Sequence, residues 1–206
     1  MGVDGAGVAA QGFYRTGEVG FREYRRTPER EVYEAYVGAS AVLVAEGADG
    51  QIDGIAMASP PAELLDMVNS GALDAMRVGA TLMPMVVELG ALAVAPERRA
   101  VGIGASLVKQ VRELYAAGGY TIMYGLCGAD DEPLQRFYNS RGFEVFNPDD
   151  GLRMGLLIHD PNFLIYPPQG ERYFARALDP TYDRPLRLRG ARQLYERQEV
   201  GSLRRS

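Results

Sequence analysis

A strand that runs into a turn rich in glycine and arginine, and then into a helix, constrains this chain more than any other stretch. It reads Glu88-Leu89-Gly90-Ala91-Leu92-Ala93-Val94-Ala95-Pro96-Glu97-Arg98-Arg99-Ala100-Val101-Gly102-Ile103-Gly104. Leu89, Leu92 and Val94 supply strand character, Pro96 ends it, and Gly102 and Gly104 let a ligand or other backbone come close. The helix that follows presents unbonded N–H groups and the positive end of its dipole, which together make an anion site. Arg98 and Arg99 add two permanent cationic forks. The pattern predicts a phosphate-bearing ligand held at a strand–turn–helix junction. Gly90 suits a bulge, so alternation alone does not say on which face Glu88 points.

The flanking sequence supplies a mixed set of elements. Residues 1–11 read as a flexible lead, and residues 13–26 have room for a short strand. Thr27, Pro28 and Glu29 start a helix that Gly38 stops. Residues 40–46 and 51–59 are two apolar strands joined by the turn Gly47-Ala48-Asp49-Gly50. Residues 62–68 read as a helix broken by Asn69, Ser70 and Gly71, and Met67, Met76 and Met83 nearby suit core filling. Residues 85–95 are a third strand. Residues 101–118 form a helix with Leu107, Val108, Val111, Leu114 and Tyr115 on one face. Residues 120–127 read as a buried strand, and Asp130 or Asp131 caps a helix that carries Leu134, Phe137 and Tyr138. Residues 143–146 and 152–159 read as a hairpin, and residues 163–166 as a further short strand. That order implies an α/β layout with a mixed sheet. A dinucleotide-binding fold is disfavoured, because the glycine turn lacks its third glycine and antiparallel strands precede it.

Two motifs resemble those of the GNAT superfamily of N-acetyltransferases. Residues 92–104 resemble its acyl-CoA motif, with the core Arg/Gln-x-x-Gly-x-Gly/Ala. Phe137-Tyr138-Asn139-Ser140-Arg141-Gly142-Phe143 resembles its Tyr-x-x-x-Gly-Phe motif. The resemblance covers residues 40–159. It implies a mixed α+β fold, a central and mostly antiparallel sheet flanked by helices, in one domain of residues 1–206 with a C-terminal extension over 160–206. It also implies acetyl-CoA as co-substrate. The backbone of Leu92, Ala93 and Val94 would bond the pantetheine arm, and the amides of Arg99, Ala100, Val101, Gly102, Ile103 and Gly104 would hold the pyrophosphate. Asp131 stands where many relatives carry an asparagine that touches CoA, and helix capping is its competing role. Glu88 stands where several members place a general base, which an ammonium acceptor needs before it can attack a thioester; a merely solvated or ion-paired carboxylate is the alternative. Tyr138 matches the tyrosine that protonates the departing thiolate, against the alternative of an aromatic anchor. Tyr124, Cys127 and His159 are read as packing or hydrogen-bonded residues, and no His, Cys, Asp and Glu spacing suits a metal.

The chain departs from the family pattern in three places. Residues 60–84 are an insertion before the motif strand, on the acceptor side. The segment before residue 40 is short. The tail beyond His159 can pack back on the sheet or join a second subunit in a homodimer, and its Arg184, Arg187, Arg189, Arg192, Arg197, Arg204 and Arg205 could meet nucleic acid. The expected activity is transfer of an acetyl or related acyl group to a primary amine, on a small molecule or a peptide, by direct attack in a ternary complex. The alternatives are a phage-type enzyme that modifies a nucleic-acid base or nucleotide-linked amine, and a non-catalytic CoA-binding module. A net charge of −5 and a pI near 5.1 weigh against general nucleic-acid binding. Cys127 is the single cysteine, which suits a reducing compartment, and no signal peptide or membrane span is recognisable, so a cytoplasmic protein is expected.

Overall fold

The computed structural model describes residues 36–69, 72–160 and 163–190. The expected lead, the short strand within 13–26 and most of the helix before Gly38 lie outside them; residues 36–38 are helical. Strands β1 (Ala41–Glu46) and β2 (Ile52–Ser59) form the expected hairpin, closed by Gly47 N–H donating to Gln51 O at 2.8 Å. Helices α1 (Ala62–Asn69) and α2 (Leu73–Leu82) follow, packed on each other. Next come β3 (Val86–Val94), a single 3-10 turn at Pro96–Arg98, and α3 (Ile103–Ala117). The chain continues through β4 (Ile122–Gly128), α4 (Glu132–Ser140), β5 (Glu144–Val145), β6 (Gly151–Leu152), β7 (Glu171–Ala177) and β8 (Arg187–Leu188).

Among the described residues six strands form the central sheet in the order β1-β2-β3-β4-β7-β5, and only the β3–β4 pair is parallel. The architecture is therefore the mixed, mostly antiparallel sheet flanked by helices that the resemblance implied. Each face carries its own core. On one face Leu43, Ala56, Val87, Leu89, Met123 and Cys127 meet Leu107, Val108, Val111 and Tyr115 of α3 and Tyr138 of α4. On the other, Val86, Ile122, Tyr124 and Tyr173 meet Leu64 of α1, Leu82 of α2 and Leu152, Met154 and Leu186 of the C-terminal part. The phenol of Tyr115 reaches both Ala39 O and Ala58 O at 2.7 Å, which ties α3 to the entry of β1 and the end of β2.

Three expectations need correction. The insertion is a helical hairpin rather than one helix, because Met83 and Leu82 bury themselves beside Leu64 and give a second apolar helix face. Residues 152–159 do not pair with residues 143–146. Residues 151–152 join β8, and the chain then coils through Met154–Leu157, where the Asp160 carbonyl occupies the space that a Cβ of Gly155 would need. The partner of β5 is β7, drawn from the tail and wedged between β4 and β5. Tyr173, Phe174 and Ala175 are buried on alternate faces, as a strand in the interior of a sheet requires. Residues 163–166 contribute only a bridge from Ile165 to Leu152.

Candidate active site

The site begins where β3 and β4 part. They pair only from Val86 to Glu88 against Ile122 to Tyr124, although β3 runs on to Val94 and β4 to Gly128. Beyond Glu88, β3 pairs with β2 alone among the described residues, so its other edge offers backbone donors and acceptors to a ligand. Just past the last paired position stands Gly125, whose Cβ, had it one, would lie 2.8 Å from Leu89 O and against the Phe174 ring. Glycine is needed there for close approach.

Gly90 is the bulge that its sequence suggested. Met57 opposes Ala91 while Ala58 opposes Leu89, which leaves Gly90 as the extra residue. The bulge turns Leu89 and Leu92 toward the same core, and because it lies beyond Leu89 it leaves the alternation at Glu88 intact. Val87 and Leu89 face α3, so Glu88 faces the inserted helices, together with Tyr124.

Downstream of β3 the chain winds tightly. Ala100 has φ of 63° and Gly102 has φ of 97°, both left-handed, and no side chain caps α3. The Ser106 N–H donates to Gly102 O at 3.0 Å, which leaves the amides of Ile103, Gly104 and Ala105 as the free helix start. Left-handed residues beside a bare helix N-terminus form a concave nest of N–H groups suited to phosphate oxygens. Leu92, Ala93, Val94, Arg99, Ala100, Val101, Gly102, Ile103 and Gly104 are thus brought onto one continuous path. The two arginines divide their work. Arg98 is committed to Asp53 of β2 at 2.8 Å, so it braces the turn against the hairpin. Exposed Arg99 donates from Nε to Val94 O at 3.2 Å. Asp131 accepts the Leu134 N–H at 3.0 Å and caps α4, the second of its two expected roles.

Glu88 is half-buried and lies level with Tyr124 on β4 and Ser59 on β2. Burial pushes its carboxyl above the ordinary carboxylate range, and the negative charge of Glu63 on α1 pushes the same way. A side-chain hydrogen bond from Tyr124 partly opposes both. Burial and the neighbouring Glu88 charge in turn keep the Tyr124 phenol protonated. Tyr138 sits on the opposite face, stacked on Phe174 with ring centroids 3.6 Å apart and edge-on to Phe137 and Phe143. Burial, with Cys127 nearby, raises its phenol well above the ordinary range, which preserves the protonated state a donor needs. Glu88 and Tyr138 therefore do not share a face. A group lying in the β3–β4 gap has one on either side.

Sequence reasoning missed Tyr124 and Glu63. Tyr124 shares a face with Ile122 and Leu126 by alternation, but its partnership with Glu88 depends on the β3–β4 register. Glu63 enters only because the insertion folds back over this face. Of the tail arginines, Arg187 is taken up by Glu144 at 2.9 Å and Asp150 at 3.7 Å, and Arg184 donates to Leu156 O. Arg192, Arg197, Arg204 and Arg205 lie outside the described residues. Among the described residues there is no cluster of three metal-ligating side chains, and no helix is long and apolar enough to cross a membrane.

The chain matches the model of the acetyltransferase (GNAT) family over residues 11–143. Among solved structures it is similar to a protein of the GNAT family from Desulfovibrio desulfuricans, 16% identical, over 73% of this chain and 76% of that one, with a TM-score of 0.46. A GNAT family acetyltransferase from Elizabethkingia anophelis with acetyl-CoA bound is 15% identical over 72% and 82%, with a TM-score of 0.44. A phosphinothricin acetyltransferase from Sinorhizobium meliloti, in complex with acetyl-CoA, is 18% identical over 72% and 66%, with a TM-score of 0.46. No curated protein sequence matches the chain.

Proposed function

Because this chain belongs to the GNAT acetyltransferase family, we propose that it transfers an acetyl group from acetyl-CoA to a primary amine by direct attack within a ternary complex. One observation carries the reading: the edge of β3 left unpaired among the described residues leads, through the turn at Pro96–Arg98, into the left-handed residues and the uncapped start of α3. An extended pantetheine arm suits such an edge, and a pyrophosphate suits the nest at its end. Bound acetyl-CoA supplies the activated thioester. The chain supplies the rest. The amides of the turn anchor the anionic end of the donor. Glu88, on the side of the inserted helices, removes a proton from the acceptor ammonium directly or through a water, and its upward-shifted pKa makes it a stronger base than an ordinary carboxylate. Tyr138, from the other face, donates a proton toward the departing sulfur.

The acceptor approaches from the side walled by α1 and α2, where Glu88 and Glu63 place negative charge. A cationic amine is the acceptor chemistry that this charge favours. The test is thiol release from acetyl-CoA across an amine panel with wild type, Glu88→Gln and Tyr138→Phe. Acetyl-CoA-dependent turnover on an amine, lowered in both variants, supports the reading. Turnover that neither variant alters removes both residue roles. Tight acetyl-CoA binding with no turnover on any acceptor points to a binding module instead.

A further inference from the structure

We propose that Tyr124 is a positioning residue for the acceptor half of the reaction, holding the Glu88 carboxylate at the mouth of the β3–β4 gap. The inference rests on Glu88 acting as the base. Tyr124 lies level with Glu88 across the last paired position of the two strands, and both face the inserted helices. Its ring has little freedom. It is 3% exposed and meets Tyr173 edge-on at 5.5 Å, and the Tyr173 hydroxyl donates in turn to Tyr166 O at 3.0 Å. Small Ala175 stands opposite it on β7 and leaves room for the ring. Set beside Glu88 by the β3–β4 register, a phenol fixed in this way has one proton to give to one carboxylate oxygen and leaves the remaining lone pairs of Glu88 for the acceptor or a water. A strand-borne carboxylate beside an open gap otherwise keeps its rotamer freedom, and a base must be held in register with the proton it takes.

The groups acting on Glu88 differ in sign. Tyr124, from β4, favours the ionised form by donating a hydrogen bond; Glu63, from α1, disfavours it by like charge; the β2 partner is neutral Ser59. Facing Tyr124 are Glu88, Tyr173 and Glu63. Loss of the Tyr124 hydroxyl must therefore move the acid limb of kcat/KM to higher pH, and loss of the Glu63 charge must move it to lower pH. A purely structural role for Tyr124 has no such signature.

The experiment measures kcat/KM against pH for wild type, Tyr124→Phe, Glu63→Gln and Tyr173→Phe, using the best amine from the panel. Titration of the Glu88 carboxyl carbon by NMR in the acetyl-CoA-free chain runs alongside, with Glu88→Gln assigning the signal. The expected result is a limb and a titration moved up in Tyr124→Phe, moved down in Glu63→Gln and unmoved in Tyr173→Phe, with KM for acetyl-CoA unchanged in Tyr124→Phe. If Tyr124→Phe melts early, fluorotyrosine at position 124, a stronger donor, replaces it and should move both readouts down. A Glu88 titration that does not respond to the change at position 124 overturns the inference. A Glu88→Gln enzyme that keeps full activity and its acid limb overturns the base reading instead, and the NMR titration then reports the Tyr124 contact by itself.

Discussion

Replacing Gly102 with alanine separates the conformational demand of the anion turn from its steric demand. Gly102 is the left-handed residue immediately before α3, at φ of 97°, and an added Cβ meets nothing within 4 Å. Space is therefore not the obstacle, and the cost is that of an L-residue in the left-handed region, about 1–2 kcal/mol. That cost has two outlets. If the turn keeps its shape, the folded state loses the full amount, and a domain of this size melts roughly 2–4 °C lower per kcal/mol. If the turn relaxes to a right-handed form, the melting point holds and the amides lose their convergence. The same free energy then appears as roughly 5–30-fold weaker acetyl-CoA binding. Calorimetric melting and acetyl-CoA titration of the same preparation read both outlets. Ala100→Gly is the companion, because Ala100 already occupies the left-handed region at φ of 63°. Relief of that strain, less the entropy of a new glycine, stabilises by up to about 1 kcal/mol. A Gly102→Ala protein that melts and binds acetyl-CoA like wild type would refute the assignment of the turn.

Other substitutions test the remaining parts of the site. Glu88→Gln should lower kcat by about 10²–10⁴-fold and abolish the acid limb of the pH profile. Because burial and Glu63 raise the Glu88 pKa and the base must be ionised, wild-type activity should fall as pH drops through a limb above the ordinary carboxylate range; a limb at the usual carboxylate value counts against the role. Asp131→Ala should cost about 1 kcal/mol in melting while leaving KM for acetyl-CoA unchanged, and Asp131→Asn should restore the cap. A KM rise without a melting change would make Asp131 a ligand contact. Tyr115→Phe should lose about 1–3 kcal/mol of stability by orphaning a buried carbonyl, with the pH profile unmoved.

The stretch proposed to hold the donor was legible in the sequence because it is local. Strand, turn and helix start are contiguous between Glu88 and Gly104, and their residue types announce a bulge, a break and an anion nest without knowledge of any distant pairing. The proposed acceptor half is assembled by contacts that leave no local trace. Glu88 and Tyr124 meet only through the parallel β3–β4 register, and Glu63 reaches them only because α1 and α2 fold back as a hairpin. The edge of the sheet misled for a related reason. Residues 152–159 are apolar enough to pass for a strand, yet Gly155 lets the chain coil, and the strand that completes the sheet arrives with Tyr173, Phe174 and Ala175. Arg98 looked like an anion ligand from its place in the turn, but its carboxylate partner, Asp53, lies a whole hairpin away.

Hydrogen–deuterium exchange with and without acetyl-CoA tests the central claim most directly. The account predicts protection concentrated in the amides of residues 91–94 along the open edge of β3 and of residues 99–105 through the turn and the first residues of α3. The β1–β2 hairpin should be unaffected. Saturating acetyl-CoA that leaves both stretches unprotected, in a protein that nonetheless binds it, would contradict the account.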